Sequence, residues 1–232
     1  MISKSHSMPF SEHFPRLPLV LGFALASLSL ALPVEAIDIN IGSNNQVNTG
    51  KIVGGNCLQG SGKLTQKKLS TEQFRDIVVD GVFDVNVSCG QSAGVSITAD
   101  DNLHSLVSVT TKNGKLHLST LGSYCTATSF KADISLVEIA SISADGSSEL
   151  VADCNNAVNG KLAVDLRGAS SMTISGKVKD IALTLQDSSE LDATQLMAET
   201  VGIKISDAAT ARVNVSKRLT GEGSDASEIH YR

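Results

Sequence analysis

The second half of this chain repeats itself. Short polar runs read DGSSEL, RGASSM, QDSSEL, SDAATA and SDASEI, and they end on Leu150, Met172, Leu191, Ala211 and Ile229. The spacings between those apolar residues are 22, 19, 20 and 18. Six positions before each lie Ala144, Leu166, Leu185, Ile205 and Gly223, and two before those lie Ile142, Val164, Leu183, Ile203 and Gly221. Each unit therefore reads as a short strand, a tight polar turn and a second short strand. Alternation at period two marks strand rather than helix. A unit this short cannot bury its apolar face alone, so copies must stack on one another. The prediction is an all-β solenoid, a parallel β-helix with coils of about 20 residues.

Residues 1–36 have the pattern of a secretory signal. Lys4 and Arg16 supply positive charge, Leu17 to Leu32 is apolar, Pro33 breaks the run, and Val34-Glu35-Ala36 offers a cleavage site. The run is short and interrupted beside the roughly 20 apolar residues of a spanning helix. Cleavage after Ala36 is expected, leaving an exported chain with no integral membrane segment. Its destination is the periplasm, the cell surface or the medium. Residues 37–59, rich in Gly and Asn, read as a lead-in or an N-terminal cap.

The formal net charge is −5, and Lys63, Lys67, Lys68 and Arg75 read as a solvated strand face rather than a basic stripe, which argues against nucleic acid. There is no Trp, and aromatic residues are only 3% of the chain, which disfavours a large sugar-stacking surface. No GxGxxG, P-loop or HExxH occurs, so no cofactor is expected.

Four cysteines in an exported chain point to disulfides, with three possible connectivities. The run DGVFDVNVSC, ending at Cys89, aligns without gaps to DGSSELVADC, ending at Cys154. Equivalent positions on adjacent strands lie within disulfide reach. This favours Cys89–Cys154 and leaves Cys57–Cys125.

Residues 60–232 contain an ordered set of short motifs. They are a Gly-Ser-Gly opening, then Phe74, Ile77, Val79 and Gly81, then Phe83-Asp84-Val85, Ala99-Asp100-Asp101-Asn102-Leu103 and Lys112-Asn113-Gly114-Lys115-Leu116. Small-residue turns follow to the end. This region resembles the auto-transporter adhesin head family called the GIN domain. The resemblance implies a right-handed, single-stranded β-helix, exported or surface-associated, of unassigned biochemical activity. The chain departs from the family in its Asp-Gly-Ser-Ser and Asp-Ala-Ala turns and in its four cysteines.

Asp80, Asp145, Asp187, Asp207 and Asp225 recur near one point of the repeat. Clustered oxygen ligands suit calcium, which makes Asp145, Asp187, Asp207 and Asp225 the metal candidates. Asp also favours turns by bonding the following amides, and the GGxGxD calcium repeat is missing. Ser148, Ser171 and Ser189 form a hydroxyl row, but no GxSxG or partnered histidine makes a nucleophile of them. Asp84 and Glu149 align at one repeat position and are the best pair for glycoside hydrolysis. Arg167 and Arg212 occupy different points of their coils and do not join them.

The expected function is that of an exported, non-catalytic module for adhesion or cell-envelope binding. Its partner would be a polymer or protein of the envelope or a host surface. Two alternatives remain open: a polysaccharide-active enzyme on the same scaffold, and a self-associating structural protein that forms a homo-oligomer.

Overall fold

The computed structural model describes residues 57–155 and 160–232. The predicted signal and residues 37–56 of the lead-in lie outside the described residues. The strands of the first half are β1 (Leu58–Gln59), β2 (Leu64–Leu69), β3 (Asp76–Gly81), β4 (Phe83–Cys89), β5 (Gly94–Asp100), β6 (Val107–Lys112), β7 (Lys115–Thr120), β8 (Tyr124–Cys125) and β9 (Phe130–Leu136). Those of the second half are β10 (Ser141–Gly146), β11 (Glu149–Cys154), β12 (Lys161–Leu166), β13 (Ser171–Leu185), β14 (Glu190–Ile205), β15 (Thr210–Gly223) and β16 (Glu228–Tyr231).

All but β1 and β8 belong to one sheet. Strand β13 explains how it curls. Its first part, from Ser171, pairs with β11, and its second part, Asp180–Leu185, pairs with β12. One strand thus serves both arms, and the inward alternation of both arms shares a core. Ile77 and Val79 of β3, Val85 and Val87 of β4, and Leu150 and Ala152 of β11 are all buried. Full burial of a Val or Leu side chain is worth about 1.5–3 kcal/mol, so this alternation drives the curl.

The parallel β-helix predicted from the repeat is not the architecture. The sheet is mixed, a curled half-barrel. Strand β5 runs antiparallel between β2 and β9, and β6 is antiparallel to β7. The reason lies in residues 60–136, where β2, β5 and β6 add antiparallel strands that the repeat does not contain. There Asn113 and Gly114, at φ 53° and 75°, turn β6 back onto β7, as an Asn-Gly pair does in a two-residue hairpin. Parallel pairing joins the repeated strands, and Leu150, Met172, Leu191, Ala211 and Ile229 fall in one column.

Candidate functional site

The outer face and the polar turns carry the candidate chemistry. At the turns, a vertical ladder of backbone bonds fixes the alignment. Ser147 N donates to Gly81 O (3.0 Å), Ala169 N to Gly146 O (2.7 Å), Ser188 N to Gly168 O (2.9 Å) and Ala208 N to Asp187 O (2.8 Å). The turn column is therefore Gly81, Gly146, Gly168, Asp187 and Asp207, with Asp225 at the equivalent place in the last turn. Asp187, Asp207 and Asp225 have φ of 62°, 62° and 59°, the left-handed conformation that Asp tolerates. A Cβ on Gly146 would stand 2.4 Å from Gly81 O, and one on Gly168 would stand 2.5 Å from Gly146 O. The early rungs approach too closely for a side chain, whereas the later ones admit aspartate.

Asp145 does not belong to that column. It pairs in register with Asp80, one position earlier, at the end of its strand. The other candidates meet their turns instead. An Asp187 carboxylate oxygen accepts from Gly168 N at 3.0 Å, and one of Asp207 accepts from Asp187 N at 3.3 Å and from Ser206 Oγ at 2.8 Å. Ser224 Oγ donates to Asp225 at 2.9 Å. Among the described residues, no group of three or more His, Cys, Asp or Glu side chains converges as a metal site would require.

The buried hydroxyl row is Ser148, Ser170 and Ser189. Ser171 faces outward opposite Glu149, because only even-numbered residues of this segment share the inward face of Met172 and Ile174. Ser148 Oγ accepts from Phe83 N at 3.1 Å and donates to Gly81 O at 3.0 Å. Ser189 Oγ donates to Leu166 O at 3.2 Å. Ser148 and Ser189 therefore complete turns.

Asp84 and Glu149 are register partners on β4 and β11, and Lys131 of β9 flanks Asp84. Further along the same face, Glu190 pairs with Arg212. Asp192 accepts from Thr194 N at 2.9 Å and from Thr194 Oγ1 at 2.6 Å, which holds its carboxyl below the usual carboxylate value. Arg167 bonds Asp165 through Nε and Nη2 at 3.0 and 3.1 Å, on the other arm. The polar groups of the outer face are thus spread along columns rather than gathered at one point.

Sequence reasoning missed an open groove of about 390 Å³ where β2, β5, β9 and β4 meet. Lys68, Asn86, Gln91 and Asp133 line it, and Asn86 Nδ2 donates to Asp133 at 3.1 Å. The signal was the Lys67-Lys68 pair, but only the antiparallel placement of β5 sets Lys68 and Asp133 on either side of Ser96, lining one groove. His117, on β7, bonds Asp80 at 2.5 Å, another pair that sequence distance concealed.

Two disulfides staple the chain. Cys57–Cys125 joins the ends of the small β1–β8 ladder, and Cys89–Cys154 links β4 to β11. No helix among the described residues is long and apolar enough to cross a membrane.

A putative adhesin from Bacteroides fragilis has a similar structure, with a TM-score of 0.56 and 18% identity over 75% of this chain and all of that one. A putative adhesin from Parabacteroides merdae gives 0.46 and 18%, over 77% of this chain and all of that one. A putative lipid binding protein from Parabacteroides distasonis gives 0.45 and 14%, over 76% and 97%. No curated protein matches the chain. The first of these likenesses shows a shared fold. The family model described as putative auto-transporter adhesin, head GIN domain, matches residues 73–232, and the chain belongs to that family.

Proposed function

We propose that this protein is an exported, non-catalytic binding module that holds its outer face against a polymer or partner protein of the cell envelope or a host surface. Residues 1–36 would direct its export. One observation carries this reading. Parallel register lines side chains, all polar but Val151, in columns along the outer face, at the rung spacing of about 4.8 Å. One column runs Asp84, Glu149, Ser171, Glu190, Thr210 and Glu228, and its neighbour runs Asn86, Val151, Thr173, Asp192, Arg212 and His230. A rigid surface with such a period suits a ligand that repeats. The hydrogen-bonded turns and the two disulfides keep it from deforming.

The test is a binding screen of the exported chain against envelope glycans and host matrix proteins, with release of sugar fragments monitored. Saturable binding without turnover, weakened by Arg212→Glu, supports the module. Release of fragments, lost in Glu149→Gln, overturns it in favour of a glycan-active enzyme.

A further inference from the structure

Residues Arg218–Gly223, the second part of β15, pair with β14 on one side only. The remaining partner of β15 is β16, which takes Thr210–Val213. Among the described residues the other edge of Arg218–Gly223 is therefore open. We infer that this edge pairs antiparallel with the same segment of a second copy, about a two-fold axis at Thr220.

The core marks this rung as an end. Elsewhere the inward columns are filled by side chains, bulky ones at all but Ala144: Ile142, Val164, Leu183 and Ile203 in one, Ala144, Leu166, Leu185 and Ile205 in the next. In the last rung the same positions are Gly221 and Gly223. Ile229 closes the space, with its Cδ1 3.4 Å from where a Gly221 Cβ would lie. A further stacked rung would find no bulky inward column to pack upon. What the rung presents is a backbone edge six residues long, with Leu219 half-buried.

The side chains on this edge complement themselves. In antiparallel pairing centred on Thr220, Arg218 of one copy stands opposite Glu222 of the other, and this happens twice. Opposed charges directly across a ladder stabilise it, and like charges oppose it. Arg218 and Glu222 are both exposed, and neither has an ion pair among the described residues. On the inward side, Leu219 of one copy stands opposite Gly221 of the other, so a large side chain meets a small one. The far end of the sheet has two edge strands, β2 and β6, and β2, which ends the neighbouring arm, carries adjacent Lys67 and Lys68, the kind of charge that natural edges use to repel pairing. An edge of this length gives a small interface, so the dimer is weak and reversible, with dissociation in the micromolar range.

Sedimentation velocity of the full chain as exported by an expressing cell tests this, from about 1 μM to about 300 μM. The wild type is expected to shift reversibly from monomer to dimer. Arg218→Glu sets like charges opposite each other and raises the dissociation constant on the order of tenfold. Glu222→Arg alone does the same. The double swap, Arg218→Glu with Glu222→Arg, restores the wild-type constant. Far-UV circular dichroism and melting of each variant establish that it is folded, and Arg218 and Glu222 are exposed enough that folding is expected to survive. A wild type that stays monomeric throughout overturns the inference. So does a dimer indifferent to the single swaps, or a double swap as weak as either single one.

Discussion

Gly168 donates its backbone amide to the side chain of Asp187, 3.0 Å away and one rung further along the chain. This bond gives a turn carboxylate a structural duty. Asp187 also sits at φ 62°, where a β-carbon without a polar group is disfavoured. Asp187→Ala should therefore cost about 2 kcal/mol, combining strain with a lost bond. Asp187→Gly should cost about 1 kcal/mol, because only the bond is lost. Asp187→Asn keeps an acceptor and the tolerated φ, so it should cost less than either. Urea unfolding gives the order. If Asn proved as harmful as Ala, and calcium raised the melting point of the wild type alone, the carboxylates would be a cation site instead.

Close stacking predicts a sharp contrast between glycines. A Cβ on Gly146 would stand 2.4 Å from Gly81 O, and its φ is 106°, whereas Gly114 at φ 75° has nothing within 4 Å. Gly146→Ala should cost about 3 kcal/mol or more. Gly114→Ala should cost only about 1 kcal/mol, from backbone strain. Melting temperatures of the two variants check the difference.

The serine row splits in the same way. Ser148 both accepts and donates, so Ser148→Ala leaves Phe83 N and Gly81 O without that hydroxyl and should cost about 2 kcal/mol. Ser170 Oγ is buried and has no hydrogen-bond partner. Ser170→Ala should change stability by about 0.5 kcal/mol or less. Equal losses in denaturant unfolding would contradict this division.

Cys89 and Cys154 are 65 residues apart in sequence, so their disulfide closes a long loop. On the chain-entropy account, replacing both by Ala should remove about 4 kcal/mol. The denaturant midpoint of the double variant, compared with that of the wild type, measures it.

Asp192 makes stability depend on acid pH. Bonds from Thr194 hold its carboxyl below the ordinary value of 3.8. A carboxyl whose folded value is depressed stabilises the fold above its unfolded value, and that contribution is lost as pH falls through the folded one. The loss therefore lies below about pH 4. Asp192→Asn should flatten the fall of the urea midpoint between pH 5 and 2, and an unchanged slope would count against this source.

The repeat and its inward columns were legible in the sequence. Leu150, Met172, Leu191, Ala211 and Ile229 share a column because period-two alternation is a local property. The turns were legible as turns, but not residue by residue. Asp145 lies one position before the column of Asp187, and Ser170, not Ser171, joins Ser148 inside. A one-residue shift changes the face of a side chain while leaving composition untouched.

Local alternation by itself determined that this chain is all-β and which residues of the repeat face inward. The tertiary structure alone decided that the sheet is mixed, with β5 antiparallel between β2 and β9 and the Lys68–Asp133 groove between them. The physical reason is that backbone donors and acceptors are the same at every residue, so they pair strands without regard to sequence. Which strands meet is settled by how distant apolar faces pack into one core, and that choice is not written in any single stretch of the chain.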